Sequence, residues 1–401
     1  WRRHFTNLLN IVSQIDEREL SRARQRPPHP EVADPPSADE LERAVTKLRN
    51  GKAAGQSEIL PEMLKAACCN AGFFNHLLEL VTSIWNEQRV PQDWVDAILI
   101  PIPKKGDLRS CDNWRGIALL DVVGKAVATI LQERLQTLAE QELPESQCGF
   151  RKERSCTDMI FVIRQLVEKS WEHKSKSFFT FVDLKKAYDS VPRKGMWLAL
   201  KKLGVPERAV NLIEAFHSNM KAKIRMDGEL LEDIRVENGL RQGCCMAPVL
   251  FNLYTTLVIE RWQDRVAGNE GVGITLRFKM DEKLFRRYTK NASEQKISEC
   301  LFADDGALLA SSRSGAEIAA IAYQETSGKF GLTVNINKTK HMVVGREATT
   351  SDEEPLPMQG GNIESVEQFP YLGSVVAASG KIDADVDRRI TQASSAFGAL
   401  R

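Results

Sequence analysis

Apolar positions in the first 180 residues recur mainly with helical spacing. A capping box of Ser37 and Glu40 opens the clearest pattern, which continues through Leu41, Ala44, Val45 and Leu48 and stops at Asn50-Gly51. The same periodicity predicts helices at about 73–88, 121–140 and 157–172. Between them, the segment "WVDAILIPIPKKG" (94–106) predicts a short apolar strand that ends in a basic turn.

From residue 178 the pattern becomes that of strands. The run "FFTFVD" (178–183) is continuously apolar and predicts a buried strand with Asp183 at its tip. Alternation around Asp227-Gly228 predicts a hairpin, and residues 273–285 resemble a second one. Short strands are expected within 331–344 and 369–376.

The stretch "CLFADDGALLAS" (300–311) predicts a third hairpin, with its tight turn at Asp305-Gly306. Helices interleaved with hairpins indicate the α+β class, in which an antiparallel sheet is covered by helices on one face.

Composition is ordinary for a soluble globular protein, at 42% hydrophobic and 27% charged over 401 residues. No apolar run approaches the roughly 20 residues of a membrane span. Because the chain begins with Trp1 and not Met, we expect it to be part of something longer. Eight scattered cysteines, without metal-ligand spacing, favour a reducing compartment over a zinc or disulfide framework.

The net charge of +1 gives no global sign of nucleic-acid binding, although basic clusters occur locally. Three acids stand out against this background: Asp183 at a strand end, and Asp304 and Asp305 at a hairpin tip. Carboxylates gathered in one place suit a hard dication such as Mg²⁺, which uses one or two of them together with substrate phosphates. The alternative interpretation is that each acid is a turn or surface carboxylate.

Seven motifs in order resemble those of reverse transcriptases of the non-LTR (LINE-type) retrotransposons. Upstream are "IPIPKKGDLRSCDNWRGIALL" (100–120) and "QCGFRKERSCTDMIF" (147–161); then come "FVDLKKAYDSV" (181–191), "GLRQGCCMAPVLFNLY" (239–254), "FADDGALL" (302–309), "GLTVNINKTK" (331–340) and "YLG" (371–373). The resemblance covers roughly residues 40 to 401. Where these enzymes commonly carry a Gly and an Asp, this chain has Gln56-Ser57-Glu58.

The resemblance implies a right-hand polymerase with fingers and a ferredoxin-like antiparallel palm sheet covered by helices. It predicts an N-terminal extension with a proline-rich linker (1–36), fingers with the first palm elements (37–177), the palm (178–380) and the beginning of the thumb (381–401). It also implies an intracellular location, in the nucleus or a cytoplasmic ribonucleoprotein, and we find no targeting signal.

The resemblance also assigns roles to individual residues. Asp183, Asp304 and Asp305 would be catalytic and bind two Mg²⁺ ions, with Mn²⁺ a possible substitute. Arg115, with Lys104 or Lys105, would bind the triphosphate, and Gln242 and Gly243 would lie along the template and nucleotide. Lys338 or Lys340 would be the acid that protonates pyrophosphate. Tyr188 would be a steric gate against ribonucleotides.

The implied activity is RNA-directed DNA polymerisation from an RNA template, a DNA primer and deoxynucleoside triphosphates, with no membrane involved and an undetermined oligomeric state. Two alternatives stay open. One is a catalytically silent or domesticated remnant that binds RNA, and the other is a maturase of the group II intron type.

Overall fold

A computed structural model describes residues 1–398, apart from residues 105, 227, 242, 279–292, 346–348 and 350–351. The predicted site residues Lys105 and Gln242 therefore lie outside the described residues. Contacts divide the chain into two units that alternate along the sequence. Unit 1 comprises 1–143, 186–259 and 329–332, and unit 2 comprises 144–185, 260–328 and 333–401.

The helices of the described residues are, in chain order, α1 (Arg2–Leu9), α2 (Glu17–Ser21), α3 (Ala38–Lys47), α4 (Pro61–Cys68), α5 (Ala71–Glu87), α6 (Gln92–Val95), α7 (Val122–Glu142), α8 (Cys156–Glu172), α9 (Ala187–Ser190), α10 (Arg193–Lys202), α11 (Glu207–Ala215), α12 (Ala247–Val266), α13 (Arg313–Lys329) and α14 (Asp383–Gly398). None of them is both long and apolar enough to cross a membrane.

The strands are β1 (Ala97–Pro103), β2 (Trp114–Leu119), β3 (Ser177–Val182), β4 (Lys221–Met226), β5 (Glu229–Arg235), β6 (Ile274–Phe278), β7 (Ser293–Ile297), β8 (Glu299–Phe302), β9 (Asp305–Ala310), β10 (Lys340–Val344), β11 (Leu356–Met358), β12 (Gly361–Ser365), β13 (Gln368–Tyr371) and β14 (Ser374–Ala377). The predicted helices are confirmed as α3, α5, α7 and α8, with ends shifted by one or two residues. The capping box of Ser37 and Glu40 is present at the start of α3.

Unit 1 contains a four-stranded sheet in the order β2-β1-β4-β5. β1 pairs with β2 in antiparallel fashion and with β4 in parallel, and β4 and β5 form the predicted hairpin. Gly228 takes a positive φ of 88° in its turn, a conformation that glycine adopts at no steric cost. The other predicted turn residue, Asp227, lies outside the described residues.

Unit 2 contains a six-stranded sheet in the order β11-β12-β10-β3-β9-β8. Its pairings are antiparallel except for β10 with β12, which run parallel. The α+β class is thus confirmed, but the expectation of a purely antiparallel sheet is wrong, because β12 follows β10 through the short strand β11 and aligns with it.

Helices cover both faces of this sheet, whereas the sequence interpretation placed them on one face. Phe179 and Phe181 of β3 pack with apolar residues of α8, while Phe178 packs on the opposite side with Ala316 and Ala320 of α13. Every residue of β3 is buried, which is what a strand between two helical layers requires. The continuous apolar run, without alternation, is the sequence signature of that arrangement.

The remaining strand predictions are met in part. β6 is present and pairs with β7, while residues 279–285 of the second predicted hairpin lie outside the described residues. Within 331–344 only β10 is a strand. The segment 369–376 folds as the hairpin β13–β14, whose turn residues Leu372 and Gly373 both have positive φ. The division into fingers, palm and thumb stays a prediction, since the two units follow different boundaries.

Candidate active site

The strand register of unit 2 brings two of the three acids face to face. The ladder between β3 and β9 ends with Val182 opposite Gly306. Continuing that register by one residue places Asp183 opposite Asp305. Residues directly opposite in an antiparallel pair have Cβ atoms about 4.5–5.5 Å apart and lie on the same face. Two carboxylates separated by more than a hundred residues therefore meet at one end of the sheet.

The third acid, Asp304, lies in the turn that joins β8 to β9. Phe302 pairs with Asp305, so the two turn residues are Ala303 and Asp304. The predicted hairpin is confirmed, but its predicted turn at Asp305-Gly306 is wrong, because Gly306 is a buried strand residue paired with Leu301. Ala303, with φ of 56°, takes the left-handed conformation instead of a glycine.

Gln147 holds this unusual turn in place. Its Oε1 accepts hydrogen bonds from the backbone N–H groups of Ala303 at 2.9 Å and of Gly149 at 2.8 Å. A Cβ on Gly149 would lie 2.3 Å from the Ala303 nitrogen, so only glycine allows the two backbones to approach this closely. The motif "QCGF" thus acts as a clamp on the hairpin that carries the acids, a role that sequence reasoning missed.

Asp183 is fixed by the segment that precedes β10. Its Oδ2 accepts a hydrogen bond of 3.0 Å from Asn335 Nδ2, and its backbone carbonyl accepts one of 2.8 Å from the Asn335 N–H. Thr339 Oγ1 accepts a bond of 3.2 Å from the Asp183 N–H. Neither Asn335 nor Thr339 was identified from the sequence, although both lie in the quoted motif "GLTVNINKTK". The motif serves to orient the strand-end carboxylate.

The two lysines proposed for the same acid role are placed differently. Lys338 Nζ lies 4.0 Å from Asp183 Oδ2, and the lysine side chain is 70% exposed. Lys340 Nζ instead forms an ion pair of 2.5 Å with Glu364 on β12. Of the two, Lys338 is the one that the geometry puts next to a predicted catalytic acid.

The neighbouring carboxylates and partial burial together change the pKa of Asp305. Desolvation, followed by the negative charges of Asp304 and Asp183, raises the pKa of Asp305 to about 6. The residue is nevertheless exposed at the surface, so protein atoms displace water from part of the carboxyl while ions in solvent can still reach it. A cation placed among the three carboxylates would relieve this repulsion.

The donor set fits a divalent ion in kind. All three side chains offer carboxylate oxygen, the ligand that Mg²⁺ and Mn²⁺ prefer. Within the described part of the chain, however, no three His, Cys, Asp or Glu side chains converge as a ready-made metal cage. Mg²⁺ keeps several waters and takes its remaining ligands from substrate phosphates, so a site of one or two carboxylates per ion is compatible with this geometry.

The predicted phosphate-binding cations lie on the β1–β2 hairpin of unit 1. Arg115 pairs with Ile102, and the Lys104 N–H donates to the Asn113 carbonyl at 2.7 Å, which continues the same register. Lys104 and Arg115 therefore share one face of the hairpin as diagonal neighbours, and both are exposed. The exposed side chains of Ile102 and Ile117 lie on this face as well.

Tyr188 and Gly243, also of unit 1, have packing contacts of their own. The Tyr188 ring stacks on Phe251 of α12, with centroids 4.5 Å apart and planes at 23°. Gly243 has φ of 83°, and a Cβ there would lie 2.6 Å from the Ala118 carbonyl oxygen on β2. The glycine is thus required by contact with the protein's own backbone, and its predicted approach to a nucleotide stays a prediction.

A model of the reverse transcriptase (RNA-dependent DNA polymerase) family matches residues 102–376, more than half of the chain. The chain belongs to the reverse transcriptase family. This confirms the resemblance drawn from the seven motifs. All seven lie inside the matched region, except for residues 100 and 101 of the first motif.

Relatives of this chain come from mobile elements. It is 23% identical over 351 residues to the RNA-directed DNA polymerase from mobile element jockey of Drosophila funebris, covering 86% of this chain and 36% of the relative. It is 27% identical to the retrovirus-related Pol polyprotein from type-1 retrotransposable element R2 of Popillia japonica, covering 55% of this chain and 28% of the relative. The chain therefore spans only about a third of the length of these relatives.

A third relative is the transposon TX1 uncharacterized 149 kDa protein of Xenopus laevis. The identity is 25%, over 55% of this chain and 17% of the relative. These relatives agree with the reverse transcriptase domain of a non-LTR retrotransposon that the motif order predicts.

The raised pKa of Asp305 predicts a specific pH dependence of stability. In the folded state the group keeps its proton up to about pH 6, while the unfolded group loses it near 3.8. The wild type therefore loses stability, relative to the Asp305→Asn variant, as pH rises between these values. Thermal unfolding at several pH values should show equal stability below pH 3.8 and a more stable variant above pH 6.

Asp107→Asn provides the opposite control, because hydrogen bonds from Arg109 lower the pKa of Asp107. That variant should lose stability relative to the wild type at neutral pH. If Asp305→Asn showed no gain between pH 4 and 7, the three carboxylates would not interact as described.

Proposed function

We propose that this chain is an RNA-directed DNA polymerase that copies retrotransposon RNA into DNA by two-metal nucleotidyl transfer. The observation that carries the proposal is the meeting of Asp183 and Asp305 at one end of the β3–β9 ladder, with Asp304 in the adjoining turn. An all-carboxylate cluster at the tip of a buried sheet, in a member of the reverse transcriptase family, suits phosphoryl transfer. RNA template, DNA primer and deoxynucleoside triphosphates are the proposed partners.

In this proposal the fold is a right-hand polymerase. The antiparallel strands β10, β3, β9 and β8 of unit 2 would be the ferredoxin-like palm sheet. The β1–β2 hairpin of unit 1 would belong to the fingers, and α14 would begin the thumb. What supports the palm assignment is that helices α8 and α13 pack on its faces while the loops at one end carry the acids.

Neighbouring groups of the chain hold the carboxylates in position, where they could bind an ion. Asn335 orients one oxygen of Asp183, and the clamp by Gln147 fixes the backbone beside Asp304. Two Mg²⁺ ions, or Mn²⁺, held by Asp183, Asp304 and Asp305 would activate the primer hydroxyl and stabilise the leaving oxygen. Lys338, 4.0 Å from Asp183, would protonate the pyrophosphate that leaves.

Arg115 and Lys104 would bind the triphosphate of the incoming nucleotide. A guanidinium suits bidentate contact with phosphate oxygens, and the exposed common face of the β1–β2 hairpin leaves both side chains able to reach a ligand. Gln242 and Gly243 would lie along the template and nucleotide, and Tyr188 would exclude a 2′-hydroxyl.

Substituting the acids should abolish polymerisation. Asp183→Ala and Asp304→Ala each remove a ligand from the proposed ion pair, so primer extension on an RNA template with Mg²⁺ should fall by at least about a hundredfold, as expected for losing an electrostatic contact of the transition state. Glu364→Ala, which removes a carboxylate of the same sheet, is the control and should extend normally. Extension by either aspartate variant at a rate close to wild type would contradict the metal assignment.

The steric role of Tyr188 can be separated from its packing on Phe251. Tyr188→Val removes the ring and should lower the ratio of kcat/KM for deoxynucleotides over ribonucleotides, while Tyr188→Phe should keep it. Phe251→Leu weakens the stack but leaves the tyrosine in place. If all three variants lost both activities together at a constant ratio, Tyr188 would be a packing residue and not a gate.

A further inference from the structure

Unit 1 contains a cavity of about 620 Å³ that none of the predicted site residues lines. It lies among α10, the end of α11 and the hairpin β4–β5. Its lining includes Arg193, His217, Lys221, Arg235 and Trp197. The volume is in the range of small-molecule sites, about 300–1,000 Å³.

The rim of the cavity carries two cations in an unfavourable arrangement. Lys221 and Arg235 are directly opposite each other on β4 and β5. Both are exposed, and in the described part of the chain neither side chain has an ion-pair partner. Like charges directly opposite on a hairpin destabilise it. A bound anion between them would convert this repulsion into attraction.

The next pair along the same hairpin shows the contrast. Lys223 lies opposite Asp233, with Nζ 3.9 Å from a carboxylate oxygen. Both pairs lie on the same face of the hairpin, since they are two positions apart along each strand. Opposite charges meet where the hairpin leaves the cavity, and like charges meet where it lines the cavity.

Beneath the rim, the cavity has a buried polar floor. His217 is 1% exposed and its Nδ1 bonds the Ile213 carbonyl at 2.8 Å, which leaves Nε2 buried with no partner. Arg193 donates to the carbonyls of Gly239, His217 and Val236, while its Nη2 is also buried without a partner. Neither of these two atoms reaches the open space of the cavity, so they mark a tightly packed polar floor and do not themselves contact a ligand.

The floor is positively charged at neutral pH. Desolvation and the nearby Arg241 lower the pKa of Arg193 only to about 10, so the guanidinium remains protonated. Burial, followed by the charges of Arg193 and Arg241, lowers the pKa of His217 to about 3, so the imidazole is neutral. The two acids that also line the cavity, Glu214 and Glu237, are fewer than the cations Arg193, Lys221 and Arg235, and a fourth cation, Lys194, is paired with Glu17.

We propose that this cavity binds a backbone phosphate of an RNA strand between Lys221 and Arg235, above the Arg193 floor. Phosphate oxygens accept hydrogen bonds from lysine and arginine side chains such as the exposed Lys221 and Arg235, and the protonated Arg193 beneath them adds positive charge. Phosphate contacts position a nucleic acid without reading its sequence. The choice of RNA as the carrier of the phosphate rests on the proposed function. The site itself is assigned from the cavity and from the like charges of Lys221 and Arg235 that face each other at its rim.

The test is binding of a fluorescently labelled RNA oligonucleotide to the full chain, followed by anisotropy without Mg²⁺ over a range of salt concentrations. The double variant Lys221→Ala, Arg235→Ala should bind RNA several-fold more weakly and reduce the magnitude of the slope of log K against log salt by about 1, as expected for the loss of one neutralised phosphate. Lys223→Ala is the matched control, because it removes the same charge from the same face of the same strand. It should keep the wild-type affinity and slope.

Arg235→Glu separates binding from folding. Opposite charges would then face each other across the strands, so the thermal midpoint should stay the same or rise while RNA affinity falls. The proposal would be overturned if the double variant and Arg235→Glu both bound RNA with wild-type affinity. It would also be overturned if Lys223→Ala lost as much RNA affinity as the double variant. Inorganic phosphate at constant ionic strength should compete with RNA for binding to the wild type but not for binding to the double variant. Phosphate that binds the wild type without displacing RNA would also overturn the proposal.

This assay is independent of catalysis. Without Mg²⁺ and nucleotides the anisotropy reports RNA affinity alone, and primer extension is measured separately on the same chain. A chain that never extends a primer but shows the Lys221/Arg235 effect would refute the polymerase proposal and keep this site. A chain that extends a primer normally, but whose RNA affinity does not depend on Lys221 and Arg235, would refute this site and keep the polymerase proposal.

Discussion

The candidate site depends on the antiparallel register between β3 and β9. Because side chains alternate along a strand, a slip of one residue would send Asp183 to the opposite face from Asp305. The register is set by burial, since every residue of β3 is buried. Phe179 lies opposite Leu309 of β9 and Met342 of β10, and Phe181 lies opposite Ala307 of β9. The apolar core thus decides where two charged groups come to lie.

Three carboxylates placed together repel one another, and neighbouring groups of the chain hold them in position. Asn335 donates a hydrogen bond to Asp183, Lys338 lies 4.0 Å from the same carboxylate oxygen, and Gln147 holds the backbone of the turn. The repulsion that remains falls on Asp305, whose pKa is raised to about 6. This residual repulsion is the part of the site that a divalent cation would remove, and it gives the cluster a physical reason to bind one.

Local patterns predicted the strands that carry the acids, because an apolar run ending in Asp183 and a hairpin around Asp304 are properties of neighbouring residues. The turn at Asp305-Gly306 was predicted wrongly for the same reason: local preference favours glycine, whereas the pairing of Phe302 with Asp305 places Ala303 in the turn. The Gln147 clamp was missed because it joins residues 156 positions apart. The second helical layer and the parallel β10–β12 pair likewise arise from long-range packing.

The most direct test of the account is Mn²⁺ binding to the full chain, followed by electron paramagnetic resonance together with the protons released on binding. Because Asp305 is partly protonated near pH 6, binding at that pH should release more protons than binding at pH 8, and Asp305→Asn should abolish the difference. Asp183→Asn should weaken binding at both pH values. Mn²⁺ affinity and proton release that are the same in the wild type and in both variants would contradict a metal site built from these carboxylates.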